Sequence, residues 1–519
     1  MNAKLRRLWA ALAGLISAAA GFALAELGAL VVAPQSSPLL AVGSLIIDLS
    51  PPAVKDAVIA LFGTNDKVFL LVLLGIVLVI AAAGAGMLEF RTPPWGTVVL
   101  LLLGGVATVA VVSRAQSSAL WALPAIIGTI GACLLLRLAI RRLHDWSETA
   151  ATMHGESSEP GVAPTRRSFL LLLGGSAAVA VVVGVGARIA NAASVAVTTV
   201  REAISLPKPT TTAAPIPAGS SLDIEGLSPL ITPNDDFYRI DTALQVPAID
   251  PSTWRLRVTG MVENELEISF DELLALPLTE TIITLMCVSN EVGGDLIGNA
   301  VWLGYPIREL LAEAKPQSGA DMVLSTSVDG FTASTPLEIL EDENRNSILA
   351  VGMNGAPLPA EHGFPVRMVV PGLYGYVSAT KWVTELKVTT FDDDAAYWTH
   401  RGWSEKGPIK IGSRIDVPSN RASVEAGTVA IAGVAWAQHT GIRGVEVRVD
   451  GGPWEPARLA APISSDTWVQ WVHEWDATPD DHVLEARATD TTGERQSGTP
   501  VPVVPDGAEG WHAVPVTVR

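Results

Sequence analysis

Two cysteines occur in the 519-residue chain, and one of them, Cys287, stands where chemistry could be done. It closes a β-type run in "TIITLMCVSNEVGGDLIGNAVW" (281–302), after which the sequence turns into polar and glycine-rich residues. A thiol so placed has three readings: a buried structural side chain, a nucleophile, or a soft ligand offering anionic sulfur to a metal. No histidine lies near it in sequence, so a nucleophile would draw its base from elsewhere in the fold. Spacing alone leaves the three open. It does argue against a disulfide, because Cys133 falls inside an apolar segment, and no CxxC pair offers a site for zinc or an iron–sulfur cluster.

The chain that must position Cys287 is divided by hydropathy. Mean hydropathy is +0.36 and only 17% of residues are charged, and the excess apolar character lies before residue 190. Five apolar stretches there suit membrane-crossing helices: Leu8–Val32, Val68–Leu88, Trp95–Val112, Ala119–Leu136 and Phe169–Ala187. Lys4, Arg6, Arg7, Arg91, Arg137, Arg141, Arg142, Arg166 and Arg167 flank one side of these spans, against Lys55, Lys67 and Arg114 on the other. By the positive-inside rule the amino terminus is cytoplasmic and the part after about residue 190 is external. The lone Glu26 in the first span either faces a neighbouring helix or reaches the interface. All eight histidines fall outside the expected spans, so the paired ligands of an intramembrane haem are not expected.

"TRRSFLLLLGG" (165–175) opens the fifth span and resembles the twin-arginine export signal, which addresses folded cargo to its translocon. Its plainer reading is a helix end anchored by two arginines. Residues 1–190 carry 13 basic and 9 acidic side chains against 22 and 44 in the remainder, leaving the external portion near −22. That charge disfavours nucleic acid and anionic lipid surfaces as its partners.

Four regions are expected: a membrane domain (1–190), a linker (191–220), and two external domains (221–395 and 396–519). "SLPKPTTTAAPIPAGS" (205–220) reads as an extended spacer able to hold the next domain up to about 50 Å from the membrane. Residues 221–395 read as α+β: "WRLRVTGMV" alternates as a strand, Ser269 and Glu272 form a capping box, "YPIRELLAEA" is a helix and "KWVTELKVTT" a strand. In 396–519, "TVAIAGVAWA", "GVEVRVD", "WVQWVHEW" and "HVLEARATD" are short strands between turn signals, as in an immunoglobulin-like β-sandwich. Its tryptophans, Trp436, Trp454, Trp468, Trp471 and Trp475, suit core and interface positions.

Three ordered motifs, "NDDFYRIDTALQVPAIDPSTWRLRVTGMV", "MCVSNEVGGDLIGNAVWLGYPIRELL" and "LAVGMNGAPLPAEHGFPVRMVVPGLYGYVSATKWV", resemble the molybdopterin domain of the sulfite oxidase family, in a membrane-anchored bacterial form. The last region resembles that family's molybdenum-cofactor dimerisation domain, so the resemblance covers about 225–519. It implies a molybdenum–molybdopterin cofactor with Cys287 as the protein's ligand to the metal, and a thiolate kept deprotonated by coordination. It further implies pterin contacts from Asp235, Tyr238, Arg239, Ser327, His362 and Arg367, and a phosphate-binding turn from Ser378, Thr380 and Lys381.

The chain departs from the sulfite-oxidising pattern at Val351, where those enzymes have tyrosine, and at Ile240, Asp241 and Thr242, where an arginine and a histidine are absent. The expected substrate is therefore a small molecule other than sulfite. Arg401 or Trp403 in "THRGW" is expected near it. The implied activity is two-electron oxygen-atom transfer outside the membrane, with electrons exchanged with a separate cytochrome or quinone-linked protein. Homodimerisation would run through the C-terminal domain. The alternatives are an S-oxide or N-oxide reductase of the same fold, and a cofactor-free binding or scaffold protein.

Overall fold

A computed structural model describes residues 3–33, 36–51, 54, 58, 61–62, 66–114, 117–152, 166–190 and 199–519. His154, Thr165 of the arginine motif and residues 191–198 of the expected linker lie outside them. The chain forms two compact units, Met1–Ala196 with Ala243–Gln245, and Val197–Thr242 with Val246–Arg519.

The first unit is helical. Four of its helices, Ala3–Val32, Lys67–Arg91, Trp95–Val112 and Ala119–Glu148, are long and apolar enough to cross a membrane. The fifth expected span lies in the helix Arg166–Ala190, whose described apolar stretch is the shorter Arg167–Ala178. Ala3–Val32 is the hub of the unit and packs against helices Asp66–Arg91, Ala122–Thr152 and Arg166–Ala190. Small residues make this packing: a Cβ at Gly14 or Gly86 would collide with backbone of the facing helix, as would one at Gly21 or Gly128.

Glu26 faces a neighbour, its Oε1 accepting from Ser37 Oγ (3.0 Å) and the Leu39 N–H (3.4 Å) at the start of helix Pro38–Leu49. Glu89 is buried and accepts from the Thr97 N–H (2.7 Å), while Arg137 donates to Thr97 Oγ1 (3.2 Å). His144, expected beyond the fourth span, belongs to the same continuous helix and stacks on Phe90 at 4.3 Å. The helix simply runs on past the apolar stretch that announced it.

The second unit begins with the Pro/Thr/Ala-rich segment, and here the structure departs from a free spacer. Thr210 and Glu280 exchange backbone bonds with Leu278 and Thr211, Ile204 and Leu206 pack on the core, and the Ala461 N–H donates to Gly219 O. Extended backbone rich in proline still has carbonyls and some N–H groups to satisfy, and here they are satisfied along the edge of a folded unit.

Two sheets follow, the first wholly antiparallel and the second mixed through the parallel pair Arg255–Gly260 and Val383–Thr389. One has the order β3–β4–β7–β8, with β9 paired to β7: β3 (Thr279–Met286), β4 (Ile297–Pro306), β7 (Ile348–Met353), β8 (Ala356–Pro357) and β9 (Arg367–Val369). The other has the order β2–β1–β10–β5–β6: β1 (Arg255–Gly260), β2 (Leu266–Ser269), β5 (Met322–Ser327), β6 (Thr332–Pro336) and β10 (Val383–Thr389). The capping box at Ser269 and Glu272 is present and opens helix Phe270–Ala275, and "YPIRELLAEA" supplies helix Ile307–Ala314.

From residue 412 the chain is β-rich, in a four-stranded sheet and a five-stranded one. They share a core in which Ile431 and Trp471 of the first meet Leu484, Ala486 and Val516 of the second. Asp450 and Gly451 both take positive φ (53° and 69°) at the turn after strand Ile442–Val449, as the Asp-Gly pair requires. Trp468 leaves this β-rich region to enter the core of the preceding sheets: its Nε1 donates to Leu230 O (3.0 Å), and its N–H to Thr284 Oγ1 of β3 (2.8 Å).

Candidate active site

Strand β3 is buried along its last six residues and carries Cys287 directly beyond its end. The Cys287 N–H donates to Leu296 O (2.9 Å), and Asn290 Oδ1 accepts from the Leu296 N–H (2.8 Å), closing the turn between β3 and β4. Arg414 pins this turn from the β-rich region, donating to Gly294 O (2.8 Å) while held by Asp416 (2.6 Å) and Ser228 (2.7 Å). The cysteine therefore sits on a rigid ledge at 8% exposure, facing a cleft. Burial pushes its thiol up from the ordinary value, and the Ser289 N–H, 3.4 Å from Sγ, pulls the other way.

The cleft gathers six of the expected residues: Tyr238, Cys287, Ser327, His362, Arg367 and Lys381. Arg367 opens β9 and is 6% exposed, donating to Met368 O (3.3 Å), His362 O (3.2 Å) and Ala379 O (3.4 Å), with its guanidinium 5.2 Å from the Trp302 ring centroid. Burial lowers it to about 10. Lys381 Nζ donates to Asp241 Oδ2 (2.9 Å) and Glu361 O (3.0 Å), and burial lowers it to about 8 against the pull of Asp241. His362 Nε2 lies 3.1 Å from Asn234 O, and burial with Arg367 nearby lowers it to about 4, so it is neutral at pH 7. Burial raises the Tyr238 hydroxyl far above its ordinary range, with the Cys287 thiolate acting in the same sense.

Gly363 is required here: its φ is 111°, and a Cβ would lie 2.9 Å from Arg367 Cβ and 3.2 Å from Lys381 Cβ. Trp382, which also lines the cleft, holds φ 53° although it is not glycine, with its Nε1 donating to Ala360 O at 2.9 Å. Such backbone persists only where surroundings over-determine it.

Four expected residues do not line the cleft. Asp235 is exposed in the turn Asn234–Asp236, and Arg239 is exposed and ion-paired to Asp241 at 3.0 Å. Ser378 Oγ is spent on Leu373 O (3.2 Å) and Tyr374 O (2.9 Å), and Thr380 Oγ1 on Ser325 Oγ (2.7 Å). These buried hydroxyls satisfy the fold itself. Val351, expected to mark the substrate pocket, is wholly buried in β7 as part of the core. Of the pair expected near substrate, Trp403 lines the cleft, whereas Arg401 lies 3.6 Å over the Tyr397 ring and donates to Tyr397 O.

Sequence reasoning missed the role of Asp241. Its side chain is 2% exposed and accepts from both Lys381 and Arg239. An acid two residues after an arginine was the only local signal, and Lys381 lies 140 residues away.

Ser327 Oγ supplies a test of what the cleft could hold. It is buried, lines the cleft, and has no hydrogen-bond partner among the described residues. Native proteins rarely leave such a group unsatisfied. An orphaned hydroxyl, two buried cations and a sulfur ligand fit a polar, anionic group bearing a thiophilic metal.

Residues 243–398 match the family model described as oxidoreductase molybdopterin binding domain. The chain is 31% identical over 342 residues to mitochondrial sulfite oxidase of Mus musculus, covering 56% of this chain and 62% of that protein. It is 30% identical over 178 residues to nitrate reductase [NADH] of Solanum lycopersicum, covering 29% and 19%. Among solved structures it is similar to the sulfane dehydrogenase SoxCD from Paracoccus pantotrophus, with 26% identity, TM-score 0.49, and coverage of 56% of this chain and 81% of that one. The chain spans less than two thirds of the mouse protein's length.

The cleft thus belongs to an oxidoreductase domain that binds molybdopterin. Around that domain the chain is similar to sulfite oxidases over about half of its length.

Proposed function

We propose that this chain is a membrane-anchored molybdenum oxidoreductase catalysing two-electron oxygen-atom transfer on the external face of the membrane. The observation that carries the reading is Cys287, held at the rim of β3 over a cleft that also contains an unpartnered buried hydroxyl and two buried cations. When bound there, a pterin-held molybdenum would supply the two-electron redox chemistry and the open position for an oxygen atom.

The chain's own residues do the holding. Cys287 offers sulfur to the metal from a turn whose backbone is fixed at Leu296 and Gly294. Arg367 and Lys381 would neutralise the anionic cofactor, Ser327 would donate to its polar part, and neutral His362 would add a hydrogen bond that leaves the local charge unchanged. Asp241 keeps the Lys381 ammonium oriented.

The helical unit would anchor the enzyme with its amino terminus in the cytoplasm. Export through the twin-arginine route would deliver the external unit already folded and loaded, which suits a cofactor inserted in the cytoplasm. The β-rich C-terminal region is read as the immunoglobulin-like dimerisation domain. Electrons would pass to or from a separate cytochrome or quinone-linked protein. Elemental and pterin analysis of the purified chain tests the reading: about one molybdenum per chain is expected, and Cys287→Ser should lose the sulfur-ligand signature in X-ray absorption. Metal-free native protein would overturn it.

A further inference from the structure

The cleft has a basic floor and an aromatic wall. The wall is continuous: Tyr376 and Trp403 lie 5.8 Å apart between ring centroids, Trp403 and Trp398 6.0 Å, Trp398 and Tyr397 5.1 Å, and Tyr397 and Phe331 5.9 Å. Of these, Trp403, Trp398, Tyr376 and Phe331 line the cleft directly, and Ile240 adds an aliphatic side chain at 49% exposure. Half-buried aromatic faces concentrated along one concavity, with the exposed Ile240 beside them, mark a place where something apolar binds.

Charge bookkeeping excludes the usual alternative of a small oxyanion. Arg367 and Lys381 are the cations that line the cleft, and both are matched by the anionic cofactor the site is read to hold. Lys381 is also committed to Asp241. Among the described residues the cleft is also lined by the acids Asp241 and Asp329, the latter accepting from the Phe331 N–H at Oδ1 (3.3 Å) beside the aromatic wall, and by His362, which is neutral. A dianion entering along this wall would meet aromatic faces and a carboxylate, with no donor fork to replace its hydration.

We infer that the substrate is an uncharged molecule carrying its transferable oxygen, or the atom that receives it, next to an aromatic or branched apolar group that packs on Trp403 and Trp398. This rests on the reading of the cleft as a molybdenum–pterin site. Trp403 and Trp398 are specificity residues, and the absence of an exposed cation at position 240 turns away sulfite-like ions.

The test uses the full chain, loaded with molybdenum and held in detergent, with molybdenum content measured on the same sample. Methyl phenyl sulfoxide and sulfite are titrated separately by calorimetry. The sulfoxide is expected to bind at least about tenfold more tightly than sulfite. Trp403→Ala should weaken sulfoxide binding about three- to tenfold, and Trp403→Phe should recover most of it. Ile240→Arg alters an exposed position and leaves the core intact, and it should tighten sulfite binding while weakening the sulfoxide. Molybdenum-containing protein that prefers sulfite, or that ignores both the Trp403→Ala and Ile240→Arg changes, overturns the substrate inference alone. Protein lacking molybdenum overturns the reading of the cleft and this inference with it.

Discussion

The two units of this chain cohere by opposite means. In the helical unit the closest contacts are made by residues with almost no side chain: Gly14 against Ala82 and Gly86, and Gly21 against Gly128 and Ala132. In the second unit the largest fully buried side chains are tryptophans, with Trp302, Trp382, Trp468 and Trp471 all under 2% exposed. Lipid is as apolar as leucine, so helices in it gain little from hiding large side chains from their solvent and more from bringing backbones together. Water rewards the burial of each aromatic ring, so the second unit collects them. Polar groups differ too. The helical unit places Glu26 and Glu89 at helix starts, where free N–H groups need acceptors. The second unit brings the buried Arg367 and Lys381 to a cleft.

Substitutions that respect one solvent and offend the other would sharpen this contrast. The largest effect is expected for Cys287→Ser, which should lower oxygen-transfer turnover by more than about 100-fold in steady-state assays while leaving the melting of both units nearly unchanged. Trp468→Ala comes next. It should destabilise the second unit by about 3–5 kcal/mol, because the ring fills a core reached from two directions and its Nε1 bond to Leu230 O is lost. Differential scanning calorimetry should show one transition moving while that of the helical unit stays.

Gly86→Leu tests the reverse. Even its Cβ would collide with Ala10 O, so the helix pair must separate at a cost of about 1–3 kcal/mol. Detergent-induced unfolding of the helical unit should shift, with molybdenum content of the second unit unaffected. A Gly86→Leu protein whose helices melt as before would break the comparison.

The smallest effect concerns pH. His512 accepts the Ile415 N–H at Nδ1 (3.0 Å), and burial, with Arg414 adding, depresses its protonation. A base lowered in the folded state leaves the unfolded chain binding more protons, so stability is complete above the ordinary histidine value near 6.5 and declines as pH falls below it. The denaturation midpoint of the second unit should drop between about pH 7 and 5, and His512→Gln should flatten that slope. A midpoint that rises on acidification would reverse the assigned sign.

Much of the fold was legible because its signals are local. The capping box at Ser269 needs only four consecutive residues, alternation in "WRLRVTGMV" needs nine, and both appear where expected. Four apolar stretches likewise became helices of membrane-crossing length. The cleft was legible in part. Tyr238, Cys287, Ser327, His362, Arg367 and Lys381 converge on it, whereas Ser378 and Thr380 share the same short motif as Lys381 yet point their hydroxyls into the fold. Adjacent residues on an irregular turn face different ways, and no periodicity says which. The extended linker was recognised as extended, but its docking along Leu278 and Thr279 depends on an unfilled strand edge that only the assembled sheet offers.

Residue order by itself marked the thiol ending a strand, the apolar runs and the acidic remainder, since these follow from side-chain type, while the choice of a metal ligand for Cys287 came from the resemblance of three whole motifs. Tertiary structure decided which polar groups remain free for a ligand, that Asp241 holds Lys381, and that a row of aromatics from Phe331 to Trp403 meets Cys287 across one cleft. Those facts join residues more than a hundred positions apart, and such distances close only when a whole core has packed.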